Sequence, residues 1–314
     1  QAAKDRGIRH VMINTNGVRI ARDDRFLEGL AKLNPVVYFQ FDGLRSETYQ
    51  TLRGEDLLDL KMRALDRLND AGLDAVLVAA VERGVNEDEV GPIIEFGLKH
   101  PAVRGVVLKP VTHVGRHIDF DPMERVTIPD VIHGIVDQTN GRFVLEDFVP
   151  VPCCFPTCQV NSYVFVDGDT VVPLPRMIDI DHYLDYITNR TLPNPPNSAD
   201  VQKALEGLWS ASAVPGTEKA AGDFQCACGP GMDLGYELSY LKDHIFQIAI
   251  KDFMDAYTFS VKQVMKCCVG ILVPDGRIIP FCAYNSVGYR EAIRDQLTLE
   301  QAKAPRPAKL QSIV

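Results

Sequence analysis

The chain has 314 residues, with 33 Lys and Arg against 42 Asp and Glu, which gives a formal net charge of −9. This acidic balance argues against a nucleic-acid binder that works by neutralising phosphates, and no apolar segment approaches the ~20 residues of a membrane-spanning helix. At roughly 100–200 residues per domain, the length predicts one large domain or two smaller ones. We therefore expect a soluble, cytoplasmic protein, and the composition leaves peripheral contact with a membrane open.

The first half of the chain alternates short apolar segments with amphipathic stretches. Strands are predicted at 8–13, 36–41, 75–81 and 103–108, and helices at 24–33, 56–71 and 87–99, the last with Asn86 as its N-cap. This alternation predicts βα units and a parallel sheet. The chemistry of such folds lies where the strands end, and polar side chains occur there at Asn14, Asn16, Gln40, Asp42 and Glu82.

After about residue 140 the pattern changes to short β-like segments. They are predicted at 142–146, 162–166 and 170–174, with a hairpin turn at Asp167-Gly168 and a second hairpin turning at Asp275-Gly276. One or two helices are predicted over 236–265, and the polar stretch 189–223 predicts a surface excursion. We expect a barrel-like region at 1–140, a cysteine-rich region at 141–302 that contains this insertion, and a disordered tail at 303–314.

All eight cysteines lie in the second half of the chain. They form four groups: Cys153, Cys154 and Cys158; Cys226 and Cys228; Cys267 and Cys268; and Cys282 alone. Buried free thiols and a disulfide framework are two interpretations, but thiols in Pro- and Gly-rich loops favour a metal centre with thiolate ligands. The spacings lack the Cys-x2-Cys knuckles of zinc ribbons and suit an iron–sulfur cluster better. Zinc remains the alternative.

Several segments of the first half resemble the radical S-adenosylmethionine (SAM) superfamily. They are Ile13 to Gly17, Phe39 to Gly43, Leu52-Arg53-Gly54, Val81 to Gly91 and Lys109 to Arg116. The resemblance implies a partial (β/α)6 barrel that contributes its third to sixth strands. It also implies SAM and [4Fe-4S] clusters as cofactors.

The second half is similar to one archaeal-type subfamily of these enzymes. The similarity is carried by Asp147 to Cys158 and by Cys267-Cys268, followed by the segments Pro274 to Gly276 and Pro280 to Asn285. This subfamily includes the tetraether lipid synthases, which formerly carried the name dihydro-hydroxymethylpterin dimethyltransferases. The resemblance implies that all eight cysteines hold auxiliary clusters.

Two segments of the superfamily have no counterpart in this sequence. These are the cluster-binding Cys-x3-Cys-x2-Cys after the first strand and the Gly-Gly-Glu segment after the second. We expect both to precede Gln1 in a longer chain, and we expect residues 1–314 alone not to cleave SAM. A paralogue that has lost radical chemistry is the alternative.

The resemblance assigns candidate roles to residues at the strand ends. Backbone or side-chain contact with SAM is expected of Asn16, Gly17, Gln40, Asp42 and Glu82. Less specific candidates for an acidic substrate or the active-site wall are Lys109, His113, Arg116, Tyr284 and Asn285. Each of these residues also has an ordinary structural interpretation, such as a turn, a helix cap or a solvated side chain.

The reaction implied by the resemblance is hydrogen abstraction from unactivated carbon, and the lead hypothesis is C–C coupling of isoprenoid lipid chains. The alternative within the superfamily is radical methylation of a pterin. From another class, a non-catalytic iron–sulfur or zinc protein remains open. The expected partners are a small-molecule or lipid substrate and an electron-donor protein.

Overall fold

The computed structural model describes residues 1–8, 11–115, 121–151, 155, 157–176 and 244–303. The chain divides into two compact units, the first formed by 1–111 and 123–252 and the second by 112–122 and 253–314. The predicted surface excursion at 189–223 and residues 304–314 of the predicted tail lie outside the described residues.

The first unit is built on one eight-stranded sheet. Its strands are β1 (Met12–Thr15), β2 (Val36–Gln40), β3 (Ala75–Val81), β4 (Val103–Pro110), β5 (Val149–Pro150), β6 (Gln159–Asp167), β7 (Thr170–Pro173) and β8 (Ile245–Lys251). The order is β1-β2-β3-β4-β8-β6-β5, with β7 also pairing β6. The first five strands in this order are mutually parallel, and β6 runs antiparallel to β8. The predicted parallel sheet is confirmed, as is the hairpin of β6 and β7.

The described residues of this unit form seven α-helices. They are α1 (Ala2–Asp5), α2 (Val18–Arg22), α3 (Asp24–Leu33), α4 (Ser46–Arg53), α5 (Leu58–Asp70), α6 (Val90–Lys99) and α7 (Ile128–Gln138). The strand order β1 to β4 follows the chain, and right-handed crossovers then put the intervening helices on one face of the sheet. Leucines and isoleucines of α5, α6 and α7 form the core against that face.

The two faces of the sheet therefore differ. Val37 and Phe39 of β2 and Leu77 and Ala79 of β3 are fully buried against the helices, on what we term the covered face. Their neighbours in sequence point the other way, to the open face, and are only partly buried. This alternation determines on which face of the sheet the polar side chain at the end of each strand lies.

Two secondary-structure expectations for the second half are corrected. Residues 245–251 form β8 in the middle of the sheet instead of a helix, because the strand is buried between β4 and β6. The predicted strand at 142–146 is absent there, and a 3-10 turn covers Leu145–Asp147. The sheet also continues across residue 140, since β5 to β8 pair with one another and with β4.

The second unit is small. It contains α8 (Val261–Val264), the antiparallel hairpin of β9 (Gly270–Leu272) and β10 (Ile278–Pro280), α9 (Phe281–Ser286) and α10 (Tyr289–Lys303). The hairpin confirms the predicted turn at Asp275-Gly276, whereas α10 was not predicted. The core of the second unit consists of Val273, Ile279, Ala283 and Ile293. Among the described residues of both units, no helix is long and apolar enough to cross a membrane.

Candidate functional site

A fully buried carboxylate lies directly after β2. Asp42 accepts two hydrogen bonds from the Arg53 guanidinium, at 2.8 and 2.7 Å, in a bidentate pair. It also accepts from Gln40 Nε2 at 2.7 Å and from the backbone N–H of Ala80 at 3.0 Å. Both oxygens are thus used by the protein itself, so Asp42 positions Gln40 and ties the end of β2 to β3 and α4.

A buried lysine completes this network from α5. Lys61 has no exposed surface, and its Nζ donates to the carbonyl of Asn16 at 2.6 Å and to Gln40 Oε1 at 3.4 Å. Burial lowers the pKa of Lys61 to about 8, although the negative charge of Asp42 partly opposes the shift. Gln40 is therefore oriented from both ends, with its oxygen towards Lys61 and its amide nitrogen towards Asp42.

The turn after β1 requires its glycine. Gly17 has φ +82°, and a Cβ built there would lie 2.3 Å from Cε2 of Phe39. Asn16 is exposed, and its Oδ1 accepts from the backbone N–H of Val18 at 3.2 Å. The backbone of this turn thus passes very close to the side chain of Phe39 on β2. Any residue larger than glycine would displace that side chain or the turn.

Asn86 joins the ends of β2 and β3. Its Nδ2 donates to the carbonyls of Asp42 at 2.7 Å and Ala80 at 2.8 Å, and its Oδ1 accepts from the Glu82 backbone N–H at 2.9 Å. Asn86 occupies the predicted N-cap position, before the 3-10 turn Glu87–Glu89 that leads into α6, but its side chain makes no capping bond and is fully buried. The two strand ends are thereby held at a fixed separation.

Glu89 holds the Asp42-Gly43 turn from the other side. Its carboxylate accepts from the Leu44 backbone N–H at 2.5 Å, from Arg45 Nε at 3.1 Å and from the hydroxyl of Thr48. A Cβ on Gly43 would lie 2.7 Å from the same carboxylate, so glycine is needed at this close approach. These contacts fix the start of α4 relative to the site.

The open face beside β4 is polar. On β6, the Gln159 amide donates to Asn161 at 2.9 Å, and Tyr163 Oη accepts from Asn161 at 3.5 Å and from Gln247 of β8 at 3.4 Å. Lys109 of β4 places its Nζ 4.8 Å from the ring centroid of Tyr38. Amides, phenols and ammonium groups therefore line this part of the sheet.

The structure brings together four of the predicted residues, since Asn16, Gly17, Gln40 and Asp42 share one network of contacts at the ends of β1 and β2. Glu82 follows β3 and joins them through Asn86, and Asn14 lies exposed on β1. Sequence reasoning assigned no role to Lys61 and treated Arg53 only as part of a motif. A lysine on the apolar stripe of α5, between Leu57 and Leu65, is the signal that identifies Lys61.

Four of the eight cysteines lie among the described residues. Cys158 lies in the first unit, and Cys267, Cys268 and Cys282 lie in the second, where buried Cys282 accepts from the Met254 backbone N–H at 3.3 Å. In the part of the chain that the structure describes, no three Cys, His, Asp or Glu side chains gather around one point. The remaining four, Cys153, Cys154, Cys226 and Cys228, lie outside it, so the auxiliary-cluster ligands stay a prediction.

The less specific candidates belong mostly to the second unit. The backbone N–H of His113 donates to buried Asp255 at 3.2 Å, and Asn285 Nδ2 donates to the carbonyl of Phe281 at 2.9 Å within α9. Tyr284 packs against the small core, and Arg116 lies outside the described residues. Each described contact is structural, and the expected substrate roles stay predictions.

Comparison with known proteins assigns the fold to a family. The sequence profile described as the Radical SAM superfamily matches residues 1–97, which contain β1 to β3 and the network around Asp42. A 7,8-dihydro-6-hydroxymethylpterin dimethyltransferase of Methanocaldococcus jannaschii is 30% identical over 359 aligned residues, covering 98% of this chain and 67% of that protein. The chain belongs to the radical SAM superfamily. It is an enzyme of this class, and a [4Fe-4S] cluster and SAM are its cofactors.

The strand ends fit one of these cofactors. SAM presents ribose hydroxyls, an adenine edge and an amino-acid group, which need amide, carboxylate and backbone partners. Half-buried Gln40 is held rigidly for such a role, and the exposed side chain of Asn16 and partly buried Glu82 flank it. For the clusters, the described residues show no complete ligand set, and no functional step is derived through them.

Proposed function

We propose that this radical SAM enzyme is a methyltransferase that acts on a pterin. The similarity to the dimethyltransferase of Methanocaldococcus jannaschii carries this proposal, because it extends over 98% of the chain. The similarity thus includes the strands that line the open face as well as the profile region at 1–97.

The chemistry of the open face supports a polar substrate. A pterin offers ring nitrogens, an amino group and a carbonyl, which pair with amides and hydroxyls. Gln159, Asn161, Tyr163 and Gln247 supply such groups on adjacent strands β6 and β8. An isoprenoid chain has no polar atoms that could hydrogen-bond to these groups, so this face gives the lipid-coupling hypothesis no support.

The residues of the site have distinct roles in this proposal. When bound, the reduced cluster and SAM supply the radical that abstracts hydrogen from carbon. Gln40 contacts SAM, while Asp42, Arg53 and Lys61 fix the orientation of Gln40 and exclude water from the ends of β1 and β2. The amide and phenol groups of β6 and β8 orient the pterin.

The test is a reaction with the full-length protein, purified without oxygen and supplied with iron, sulfide, a reductant and SAM carrying a CD3 group. With 7,8-dihydro-6-hydroxymethylpterin as substrate, mass spectrometry should detect a methylated pterin together with 5′-deoxyadenosine. Formation of 5′-deoxyadenosine without a methylated pterin would contradict the proposal. A parallel reaction with isoprenoid lipid tests the alternative, since coupled chains there would favour the lipid hypothesis.

The role of Gln40 has a matched control in a second glutamine, Gln50. Gln40→Leu removes the amide that is held by Lys61 and Asp42, and we expect the KM for SAM to rise about three- to tenfold, the worth of one hydrogen bond. Gln50→Leu changes an exposed glutamine on α4 and should leave the KM unchanged. Equal values for the two variants would refute the assignment.

A further inference from the structure

Two lysines end neighbouring strands on the open face. Lys109 is the penultimate residue of β4 and Lys251 the last residue of β8. Leu108 lies opposite Ile250 in this parallel pair, so the next position of the register brings the two lysines side by side. The pairing of Lys109 with Ala80, and of Lys251 with Gln159, places both on the open face.

Both ammonium groups are poorly solvated. Lys251 is 9% exposed, and Lys109 is partly buried. Burial and, as the smaller cause, the positive charge of Lys251 together lower the pKa of Lys109 to about 8. Two like charges held together in a region of low dielectric repel each other, and an anion bound between them offsets both penalties.

Neutral hydrogen-bond donors lie beside the lysines. The ring of Tyr38 is 4.8 Å from Lys109 Nζ, and burial raises the pKa of this tyrosine to about 12, which keeps its hydroxyl a donor. The Gln159 amide lies opposite Lys251 across the β6–β8 pair. Two cations on the adjacent strands β4 and β8, with neutral groups on β2 and β6, match the several oxygen atoms of a phosphate or carboxylate.

We propose that Lys109 and Lys251 together bind a phosphate or carboxylate group of the substrate. This inference rests on the proposed function, and it names an acidic pterin derivative as the substrate class that binds more tightly than the neutral alcohol. The anion anchors one end of the molecule at β4 and β8. Asn161 and Tyr163 of β6 and Gln247 of β8 remain for the ring.

The test measures binding to the full-length protein by calorimetry with three sets of probes. Inorganic phosphate reports the anion site alone. Dihydro-6-hydroxymethylpterin and its phosphate ester report the contribution of the anion to substrate binding, and SAM with decarboxylated SAM reports whether the site instead serves the carboxylate of SAM. The variants are Lys109→Met and Lys251→Met, the charge-retaining Lys109→Arg and Lys251→Arg, and the control Lys32→Met on the exposed side of α3.

Each methionine variant should bind inorganic phosphate and the phosphate ester at least about tenfold more weakly, because each loses one charged hydrogen-bond donor. The arginine variants and Lys32→Met should stay within about threefold of wild type, since they retain charge or lie elsewhere. Unchanged affinity for phosphate in both methionine variants overturns the proposal. The proposal is also overturned if the methionine variants lose affinity for SAM alone and bind decarboxylated SAM as the wild type does.

The anion site and the proposed function can fail separately in this experiment. If neither pterin binds but phosphate affinity still falls in the methionine variants, the anion site stands and the pterin assignment fails. If the alcohol and the ester bind equally well to wild type and to every variant, the pterin assignment stands and the anion site is refuted.

Discussion

At the scale of single residues, two buried charges of opposite sign have different surroundings. Asp42 is surrounded by donors, with Arg53, Gln40 and the Ala80 backbone N–H satisfying both oxygens. Lys61 has fewer compensating contacts, and its burial is expressed in a lowered pKa. The hydrogen bonds thus stabilise the buried charge of Asp42, whereas burial of the Lys61 charge costs free energy of folding. This is typical of functional sites, where the position of a group matters more than its contribution to stability.

The lowered pKa of Lys61 predicts how stability depends on pH. The folded value of about 8 lies below the ordinary 10.5, so between these values the unfolded state binds more protons and stability rises with pH. Relative to Lys61→Met, the wild type should gain up to about 1.4 kcal/mol per pH unit across this window. Urea unfolding at pH 7, 8, 9 and 9.5 measures it.

Lys32→Met provides the control for that experiment, because Lys32 is exposed on α3. Its stability should run parallel to that of the wild type at every pH. A difference between wild type and Lys61→Met that stays constant from pH 7 to pH 9.5 would show that Lys61 does not titrate in this range.

At the scale of elements, the turns after the strands hold the site, and they do so through contacts distant in sequence. The Gly17 turn packs on Phe39, and Asn86 bridges carbonyls of two strands. Local pattern placed Asn86 correctly at the N-cap position, but it did not predict that the side chain bonds to two strands instead of capping the helix. A buried amide and a capping amide look identical in sequence, because only the tertiary packing decides which backbone groups lie within reach.

Two glycines in the same conformation allow the packing of a turn to be measured. Gly17 and Gly54 both have φ +82°, but a Cβ meets Phe39 at Gly17 and nothing within 4 Å at Gly54. Gly54→Ala should cost about 1–2 kcal/mol from the left-handed backbone alone. Gly17→Ala should cost about 1–3 kcal/mol more, because the side chain of Phe39 must move.

The measurement is the free energy of unfolding of both variants in urea. Equal losses of stability would mean that the Phe39 side chain moves without a cost in free energy and that packing does not hold the turn. A larger loss for Gly17→Ala should also be accompanied by weaker binding of SAM, since the same turn carries Asn16.

At the scale of the whole molecule, the sheet joins segments that are far apart in the chain. The sequence alone predicted β1 to β4 because each βα unit is local and its apolar period is clear. It did not predict β8, which pairs with β4 more than a hundred residues earlier in the chain. An apolar stretch such as 245–251 reads equally as helix or strand until its neighbours are known.

The pairing of β4 with β8 predicts where the chain can be truncated without loss of folding. A protein cut after residue 140 keeps β1 to β4 but loses β8, so the buried edge of β4 becomes exposed. We expect this piece to aggregate or to unfold without cooperativity, as measured by circular dichroism in urea. A piece cut after residue 252 retains the whole first unit and should unfold cooperatively. Cooperative unfolding of the shorter piece would show that residues 1–140 form a domain by themselves.

The separation of the sheet into two faces has a consequence for how such an enzyme changes over evolutionary time. Side chains on the covered face are locked into the core, so replacing them costs stability. Those on the open face, such as Tyr38, Gln247 and Lys109, leave that core untouched when they change. New substrate preferences can therefore arise by mutation of one face while the scaffold is inherited intact through the other.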